Sequence, residues 1–223
     1  GINGRTKFVV NSGNALKLMA EFNYDTLLVR EKKRGGIILT NAVDLSEEEL
    51  LKLLKTPEQF GILTTPGKAA TELIKKIKEN KKEYVVLLDD NITDLEYKLR
   101  SGFAKRRTKE VLANIAGKYR DAAFIMVDEE SDLYNSSIYN LIDDEIRSRK
   151  IMLIKNGETC LLTGGSDKIC QDFLSAMHTG NDVPKIFMTD AGNYFSILPE
   201  VVKMRKIGYK FLNPSLALKE IVR

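Results

Sequence analysis

A short apolar run, a tight turn and an amphipathic segment follow one another several times in this chain, and this succession limits the folds that it can adopt. Three of the units read GIILTNAVDLSEEEL, FGILTTPGKAATEL and CLLTGGSDKICQDFL. A short apolar run bounded by turn residues is typical of a buried strand, and helical periodicity after it is typical of a helix that packs on the sheet. We therefore predict an α/β (or α+β) fold, a mixed sheet flanked by helices, in a single domain spanning residues 1–223.

Local signals place individual elements along the chain. Ser46 and Glu49 form a capping-box pattern that begins one helix, and a later helix is expected to begin near Leu198, Pro199 and Glu200. Helical patterning also follows the acidic turn at residues 89–91 and continues to residue 118. The apolar runs predict strands at residues 26–30, 36–40, 60–64, 84–88, 122–127, 151–154, 160–163, 185–189 and 209–213.

Composition argues against several classes of protein. The 223 residues are 43% hydrophobic and 30% charged, which is ordinary for a folded chain and unlike a disordered one. Because no apolar run approaches the roughly 18 to 20 residues of a membrane span, we expect a cytoplasmic protein without a membrane partner. His178 is the sole histidine and Cys160 and Cys170 are the two cysteines, which argues against a zinc enzyme.

Two turns have the composition of anion sites. The PGK turn at residues 66–68 and the GGSD turn at residues 164–167 would place backbone N–H groups at the start of a helix, where a phosphate can bind. Neither turn matches the phosphate-binding loop of nucleotide triphosphatases or the dinucleotide-binding glycine pattern. A plain strand-to-helix turn is the simpler explanation of both. The candidate phosphate-binding residues of the second turn are Gly164, Gly165 and Ser166.

An acidic pair supports a hypothesis of enzymatic activity. Asp89 and Asp90 follow an apolar run, and paired carboxylates at the end of a strand can hold Mg²⁺ against a diphosphate. With Asp167 as a third carboxylate, they would make the chain a sugar-phosphate or nucleotide-sugar enzyme, a lyase or a transferase. This is the one hypothesis that requires a cofactor, Mg²⁺. A solvated acidic turn is the simpler interpretation.

Clusters of basic residues suggest a nucleic-acid-binding protein as a further alternative. The net charge of +4 is a mild excess, however, and the clusters lie beside acidic residues without interleaved aromatic side chains on which bases could stack. Solvated helix faces explain them more simply. The clusters are Lys75-Lys76, Lys81-Lys82, Lys105-Arg106-Arg107 and residues 147–150.

Longer stretches share their spacing with one enzyme family. The stretches TLLVREKKRGGIIL and VDLSEEELLKLLKTPEQFGILTTPGKAATEL are followed by a C-terminal third that begins TGGSDKICQDFL. The pattern resembles 3,4-dihydroxy-2-butanone 4-phosphate synthase, the riboflavin-pathway enzyme that converts ribulose 5-phosphate to a four-carbon phosphate and formate. The resemblance implies that family's fold and its homodimer, an opening helix at residues 14–16, and an insertion atypical of the family at residues 80–120.

The catalytic motifs of that family are largely absent from this chain. The family's acidic metal-binding loop corresponds to Lys32, Lys33 and Arg34, which reverse its charge and would repel Mg²⁺. Its histidine metal ligand corresponds to Gly165, which has no side chain to coordinate a metal. We therefore expect a non-catalytic homologue, a pseudoenzyme that acts as a binding or assembly module. The basic loop and the turn at residues 164–166 would bind a phosphorylated small molecule or a polyanion.

Overall fold

The computed structural model describes residues 5–23, 33–179 and 183–221. The internal contacts divide the chain into two compact units, residues 1–32 and residues 33–223. Within the described residues, no helix is both long enough and apolar enough to cross a membrane. The predicted strand at residues 26–30 lies outside the described residues.

The first unit contains a β-hairpin. Strands β1 (Arg5–Ser12) and β2 (Ala15–Asn23) pair antiparallel, with an irregularity in register after Val10. Gly13 supplies the positive φ of 59° in the turn between the strands. The helix expected at residues 14–16 is therefore wrong. The reason is that leucine, alanine and phenylalanine alternate with charged residues along β2, and a period of two is the pattern of a strand.

The second unit alternates strands and helices along nearly its whole length. Each apolar run that predicted a strand of this unit overlaps one, although β6 and β7 begin two or three residues later than predicted, and the capping box of Ser46 and Glu49 begins the first helix as expected. In order the elements are β3 (Arg34–Thr40), α1 (Glu47–Leu54), β4 (Gly61–Thr64), α2 (Lys68–Glu79), β5 (Glu83–Leu88), α3 (Lys105–Lys118), β6 (Ile125–Val127), α4 (Tyr139–Ser148), β7 (Leu153–Lys155), β8 (Cys160–Leu162), α5 (Ser166–His178), β9 (Lys185–Asp190), α6 (Ala191–Lys206), β10 (Lys210–Leu212) and α7 (Pro214–Ile221).

Two predicted helix boundaries differ from the structure. The helix expected to begin near Pro199 begins at Ala191 and continues through the proline, because the Asp190 side chain caps it by accepting a hydrogen bond from Gly192 N–H at 2.8 Å. Helix α3 begins at Lys105 rather than directly after the acidic turn. In the intervening loop the Asp94 side chain accepts from Glu96 N–H, a local bond that competes with helix formation.

Eight strands form one sheet in the order β7-β6-β5-β4-β3-β9-β8, with β10 beside the amino-terminal half of β3. Every pairing in this sheet is parallel, so the α/β class is confirmed while the expected mixed sheet is parallel throughout its described pairings. Residues 80–120 contribute β5 and α3, a strand inside the sheet and a helix that packs on it. Whether they form an insertion relative to the synthase family stays a prediction.

The sheet is curled. Its edge strands β7 and β8 are joined by residues 156–159 alone, a connection that reaches about 18 Å at most. In a flat sheet these strands would lie six strand spacings apart, about 29 Å. The sheet must therefore bend until its two edges approach each other.

Helices α1 to α6 cover one face of the curled sheet, and α7 covers the other. The larger core contains buried side chains of all six helices, such as Leu53 of α1 and Phe173 of α5. The smaller core joins Met126 of β6 to Met188 of β9, although three strands lie between them, which identifies the concave face. Ala217 of α7 belongs to this inner core.

Glycines let α7 approach the inner face of the sheet. A Cβ atom added at Gly36 of β3 would lie 3.0 Å from Cβ of Ala217 and 3.3 Å from Cα of Pro214. One added at Gly61 of β4 would lie 3.0 Å from Cγ of Pro214. Two neighbouring strands therefore use glycine where α7 begins, because any side chain there would push the helix away.

We expect Gly36→Ala to destabilise the protein by about 1–3 kcal/mol, because the new methyl group overpacks against α7. Urea unfolding followed by circular dichroism would measure this change. Gly117→Ala in α3 is the matched control, since a Cβ there meets no atom within 4 Å, and it should raise stability by up to about 1 kcal/mol. Equal stability of the Gly36→Ala variant and the wild type would contradict the packing described for α7.

Candidate functional site

The carboxyl ends of the parallel strands form one polar rim. Because the strands are parallel, each strand-to-helix turn leaves the sheet at the same edge, the edge at which barrels of parallel strands bind their ligands. The residues that these turns contribute are Asn41 after β3, Thr65 and Gly67 after β4, Asp89 and Asn91 after β5, Asp128 and Glu129 after β6, Asn156 after β7, and Gly164 and Gly165 after β8.

Two adjoining cavities lie at this rim around the start of α2. One, of about 590 Å³, is lined by residues 65–70 and by Asn91, Thr93 and Asp94. The other, of about 260 Å³, lies between the ends of β3 and β4 and includes Thr40 and Asn41 in its lining. Both cavities share Thr65, Ala69 and Ala70. They form a single depression whose polar lining consists of hydroxyl, amide, carboxylate and lysine side chains.

The amino terminus of α2 opens into the larger cavity without a side-chain cap. Gly67 occupies the N-cap position with an extended backbone, and its N–H donates to the Tyr119 hydroxyl at 2.9 Å. The first turn of α2 contains Lys68 and no acidic residue. Helices α1 and α6 have side-chain caps from Ser46 and Asp190, whereas α3, α4 and α5 lack one, as α2 does. The first residues of α2 line the larger cavity, and no side chain caps that helix.

Hydrogen bonds between β3 and β9 fix the other side of the depression. Asn41 adopts a left-handed conformation with φ of 55°, and its side-chain amide donates to Asp190 Oδ2 at 3.0 Å. The Thr40 hydroxyl donates to the backbone carbonyl of Thr189 at 3.4 Å. These bonds hold the turn after β3 in one position beside the cavity. Asn41 was not predicted from the sequence, because a non-glycine residue in this conformation cannot be recognised from composition.

Asp89 and Asp90, the predicted acidic pair, accept hydrogen bonds that stabilise turns at the carboxyl rim. Asp89 is 7% exposed and accepts hydrogen bonds from both the backbone and the side-chain amide of Asn91, at 3.0 and 3.2 Å. Burial raises the pKa of the Asp89 carboxyl, and those two hydrogen bonds lower it by a smaller amount. Asp90 accepts from the backbone N–H groups of Asp132 and Leu133, at 2.6 and 3.2 Å. The oxygens of both carboxylates are thus engaged within the rim.

A polar network that the sequence did not indicate joins the turns after β6 and β7. The Asn156 side chain donates to Asp128 Oδ1 at 2.7 Å and accepts from Glu129 N–H at 3.1 Å. Glu129 Oε2 accepts from Gly157 N–H at 3.0 Å. The acidic stretch that begins at Asp128 is therefore a connector between two strands. Its partners lie almost thirty positions further along the chain, so no local pattern reveals them.

The three proposed acidic ligands do not come together. Asp167 lies in the first turn of α5 after β8, and strands β4, β3 and β9 separate β8 from β5, which leads to Asp89 and Asp90. Within the part of the chain that the structure describes, no group of three or more histidine, cysteine, aspartate or glutamate residues could hold a metal ion. The geometry therefore offers no shared metal site to these carboxylates.

The proposed phosphate-binding residues lie at opposite ends of the strands. Lys32 lies outside the described residues. Lys33 and Arg34 are at the amino-terminal end of β3, where Lys33 Nζ donates to the backbone carbonyl of His178 at 3.1 Å and Arg34 forms an ion pair with Glu220 at 2.9 Å. The turn at residues 164–166 follows β8 at the carboxyl rim, about 20 Å away along the strands.

Five of the ten basic residues in the predicted clusters form ion pairs with acidic neighbours. The ion pairs are Lys76–Glu47, Arg106–Glu110, Arg107–Glu110, Arg147–Asp143 and Arg149–Glu145. Lys82 is buried, and its ammonium group donates to the backbone carbonyls of Thr56 and Glu58 at 2.7 and 2.5 Å. These contacts support the interpretation of the clusters as solvated or structural helix faces.

Comparisons with known proteins show a similarity of fold alone. No protein-family model matches the chain, and no curated protein matches it. Among solved structures, the crystal structure of an uncharacterized protein from Agrobacterium tumefaciens C58 is similar, with a TM-score of 0.53 and 13% sequence identity. The match covers 83% of this chain and 89% of that chain. The curled α/β architecture therefore also occurs in a protein with very different residues.

The raised pKa of Asp89 generates a testable pH dependence. The folded state binds this proton more tightly than the unfolded state, so the contribution to stability is present at low pH and is lost as the pH rises through the folded-state pKa. Relative to Asp89→Asn, the wild type should gain free energy of unfolding as the pH falls from about 7 to about 4. Urea unfolding at several pH values would measure this gain, and a wild type that loses free energy of unfolding relative to the variant on acidification would contradict a raised pKa of Asp89.

Proposed function

We propose that this chain is a non-catalytic binding module whose ligand is a small phosphate-bearing molecule held at the carboxyl rim. The observation that carries the proposal is the depression around the start of α2, where two cavities share Thr65, Ala69 and Ala70. Its larger cavity, about 590 Å³, falls in the size range of small-molecule sites.

The chemistry of the lining favours an anionic group on the ligand. The first N–H groups of α2 lack a side-chain acceptor and carry the positive end of the helix dipole. Lys68 adds a cationic side chain in the same turn, while Thr93 and Asn91 offer uncharged hydrogen-bonding groups. A phosphate at the start of α2 would satisfy these donors, and Asn91 and Asp94 could hold the hydroxyl groups of the attached sugar or polyol.

A relation to 3,4-dihydroxy-2-butanone 4-phosphate synthase belongs to the same proposal. It is supported by the order and spacing of the sequence stretches, and it would make the chain a divergent member without synthase activity. The replacement of the family's acidic loop by Lys32, Lys33 and Arg34 supports loss of the metal. Loss of the Lewis acid would remove several kcal/mol of transition-state stabilisation.

The enzymatic alternative has weaker support. Asp89 already accepts two hydrogen bonds from Asn91, and Asp90 accepts two from the backbone of residues 132 and 133, so each carboxylate has fewer lone pairs to offer a metal ion. Nucleic-acid binding has weaker support as well, because the arginines of α3 and α4 are paired with glutamate and aspartate on the same helices.

Gly67→Asp should weaken ligand binding without destabilising the fold. A Cβ at this position meets no atom within 4 Å, and an aspartate at the N-cap would occupy the N–H groups of α2 and repel an anion. Isothermal titration calorimetry with ribulose 5-phosphate, and with inorganic phosphate, would compare the variant with the wild type. We expect binding to weaken at least about tenfold while urea unfolding shows equal or greater stability.

Two lysine variants locate the site. Lys68→Ala should weaken phosphate binding about tenfold, because it removes the cation beside the helix terminus. Lys33→Ala, at the amino-terminal end of β3, is the matched control. This variant should bind phosphate as the wild type does. The reverse outcome, loss of binding with Lys33→Ala alone, would move the site to the basic loop.

The proposed absence of catalysis is tested with the substrate of the resembled family. Purified protein incubated with ribulose 5-phosphate and Mg²⁺ should release no formate above the rate without protein. Formate release at enzymatic rates would overturn the proposal, and it would require carboxylates elsewhere, with Asp89 and Asp90 as the first residues to mutate.

A further inference from the structure

A groove between helices α2 and α3 has a largely apolar lining. Its volume of about 390 Å³ is within the range of small-molecule sites. Ile74 of α2, Tyr84 of β5 and Tyr119 at the end of α3 contribute apolar surface to it, and both tyrosines are only 3 to 4% or less exposed, at 3% each. The groove shares no lining residue with the two cavities of the rim depression. It is therefore a separate cavity of the second unit.

The hydroxyl of Tyr84 forms no hydrogen bond within the part of the chain that the structure describes. The hydroxyl of Tyr119, which also lines the groove, accepts from Gly67 N–H at 2.9 Å. Burial raises the pKa of Tyr84 to about 12, so its hydroxyl keeps its proton near neutral pH and can donate. Because a polar group in an apolar setting costs free energy unless it is hydrogen-bonded, the Tyr84 hydroxyl favours a ligand with an acceptor.

The charged residues that line the groove leave an excess of one positive charge. They are three lysines, Lys75, Lys78 and Lys118, and two carboxylates, Glu79 and Asp121. Lys78 and Asp121 form an ion pair at 2.6 Å. Among the described residues, neither Lys75 nor Lys118 forms an ion pair, and Glu79 balances only one of them. A ligand with a single negative charge therefore complements the groove.

We propose that the groove between α2 and α3 binds a small carboxylic acid with an apolar body. The body would lie against Ile74 and the two tyrosine rings, and the carboxylate would accept a hydrogen bond from the Tyr84 hydroxyl, with Lys75 and Lys118 as the neighbouring cations. A carboxylate carries the single negative charge that the lining lacks, whereas a phosphate monoester carries nearly two. The phosphate ligand proposed at the rim uses none of these residues, so the two proposals are independent.

A matched pair of probes tests the class of ligand in the full-length protein. Cinnamate is an aromatic carboxylate, and cinnamamide is its uncharged amide. In a nuclear magnetic resonance titration of the backbone amides, cinnamate should shift resonances of the groove residues saturably, and cinnamamide should bind at least about tenfold more weakly. Equal affinities of the two probes, or no saturable shift with cinnamate, would overturn the proposal.

Single-site variants test the residues that recognise the carboxylate. Tyr84→Phe removes the hydroxyl alone and should weaken cinnamate binding about tenfold, while urea unfolding shows equal or greater stability because no hydrogen bond of the protein is lost. Lys118→Gln should weaken cinnamate binding and leave cinnamamide binding unchanged. Lys105→Gln, an exposed residue of α3 outside the groove, is the control. Unchanged cinnamate affinity in both Tyr84→Phe and Lys118→Gln would contradict the proposed contacts.

A second pair of variants distinguishes the groove from the β-hairpin, whose exposed apolar side chains could also attract an aromatic probe. Thr71→Trp, at an exposed residue of α2 that lines the groove, should fill it and abolish cinnamate binding. Phe8→Ser in β1 removes a ring that is 52% exposed and should leave the affinity unchanged. Loss of binding with Phe8→Ser and its retention with Thr71→Trp would move the ligand to the hairpin and overturn the proposal.

Discussion

The approach of α7 to the concave face of the sheet is the contact on which the second unit depends. Gly36 and Gly61 leave no side chain between the strands and the start of the helix, so Pro214 and Ala217 lie against the backbone of β3 and β4. Glu83 of β5 fixes the same end of α7 by accepting hydrogen bonds from the N–H and the hydroxyl of Ser215, at 3.0 and 2.5 Å. The helix thereby fills the interior that the curl of the sheet creates.

The curl follows from the direction in which the chain winds. From β3 to β7 each new strand is added on the same side, and β8 and β9 approach β3 from the far edge in that same direction. Crossovers of one hand that always advance the same way put their helices on one face, which is why α1 to α6 share a single core. All the strand-to-helix turns then lie at the same rim of the sheet.

The strands and most helices of the second unit could be predicted from the sequence because their signals are local. The apolar run at residues 36–40 and the capping box of Ser46 and Glu49 depend on residues within one element. The parallel pairing of every strand could not be predicted, since an apolar run does not specify its neighbours. The hairpin was missed because the helix at residues 14–16 followed from the resemblance to the synthase family and not from the alternation along β2.

The candidate site was predicted in part. The sequence placed Asp89, Gly67 and Gly164 in turns after strands, and the parallel sheet brings those turns to one rim. It could not show that Asp90 is committed to the backbone N–H groups of Asp132 and Leu133, or that Asn156 bonds to Asp128, because these partners are distant in sequence. The sequence also could not show that Lys33 and the turn at residues 164–166 lie at opposite ends of the strands. The direction of β3 relative to β8 depends on the pairing of the whole sheet.

The position of β3 among three partner strands has a consequence for the rate of folding. Its residues pair with β4 nearby in the chain, but also with β9 and β10, which lie about 150 and 175 residues further along. Contacts of such long sequence separation require large loops to close before they stabilise anything, which slows folding. Until β9 arrives, an apolar run of three consecutive residues in β3, Ile37 to Leu39, has an open edge. The transient species of this protein therefore expose an apolar, aggregation-prone edge at a strand whose Ile37, Ile38 and Leu39 are fully buried in the folded protein.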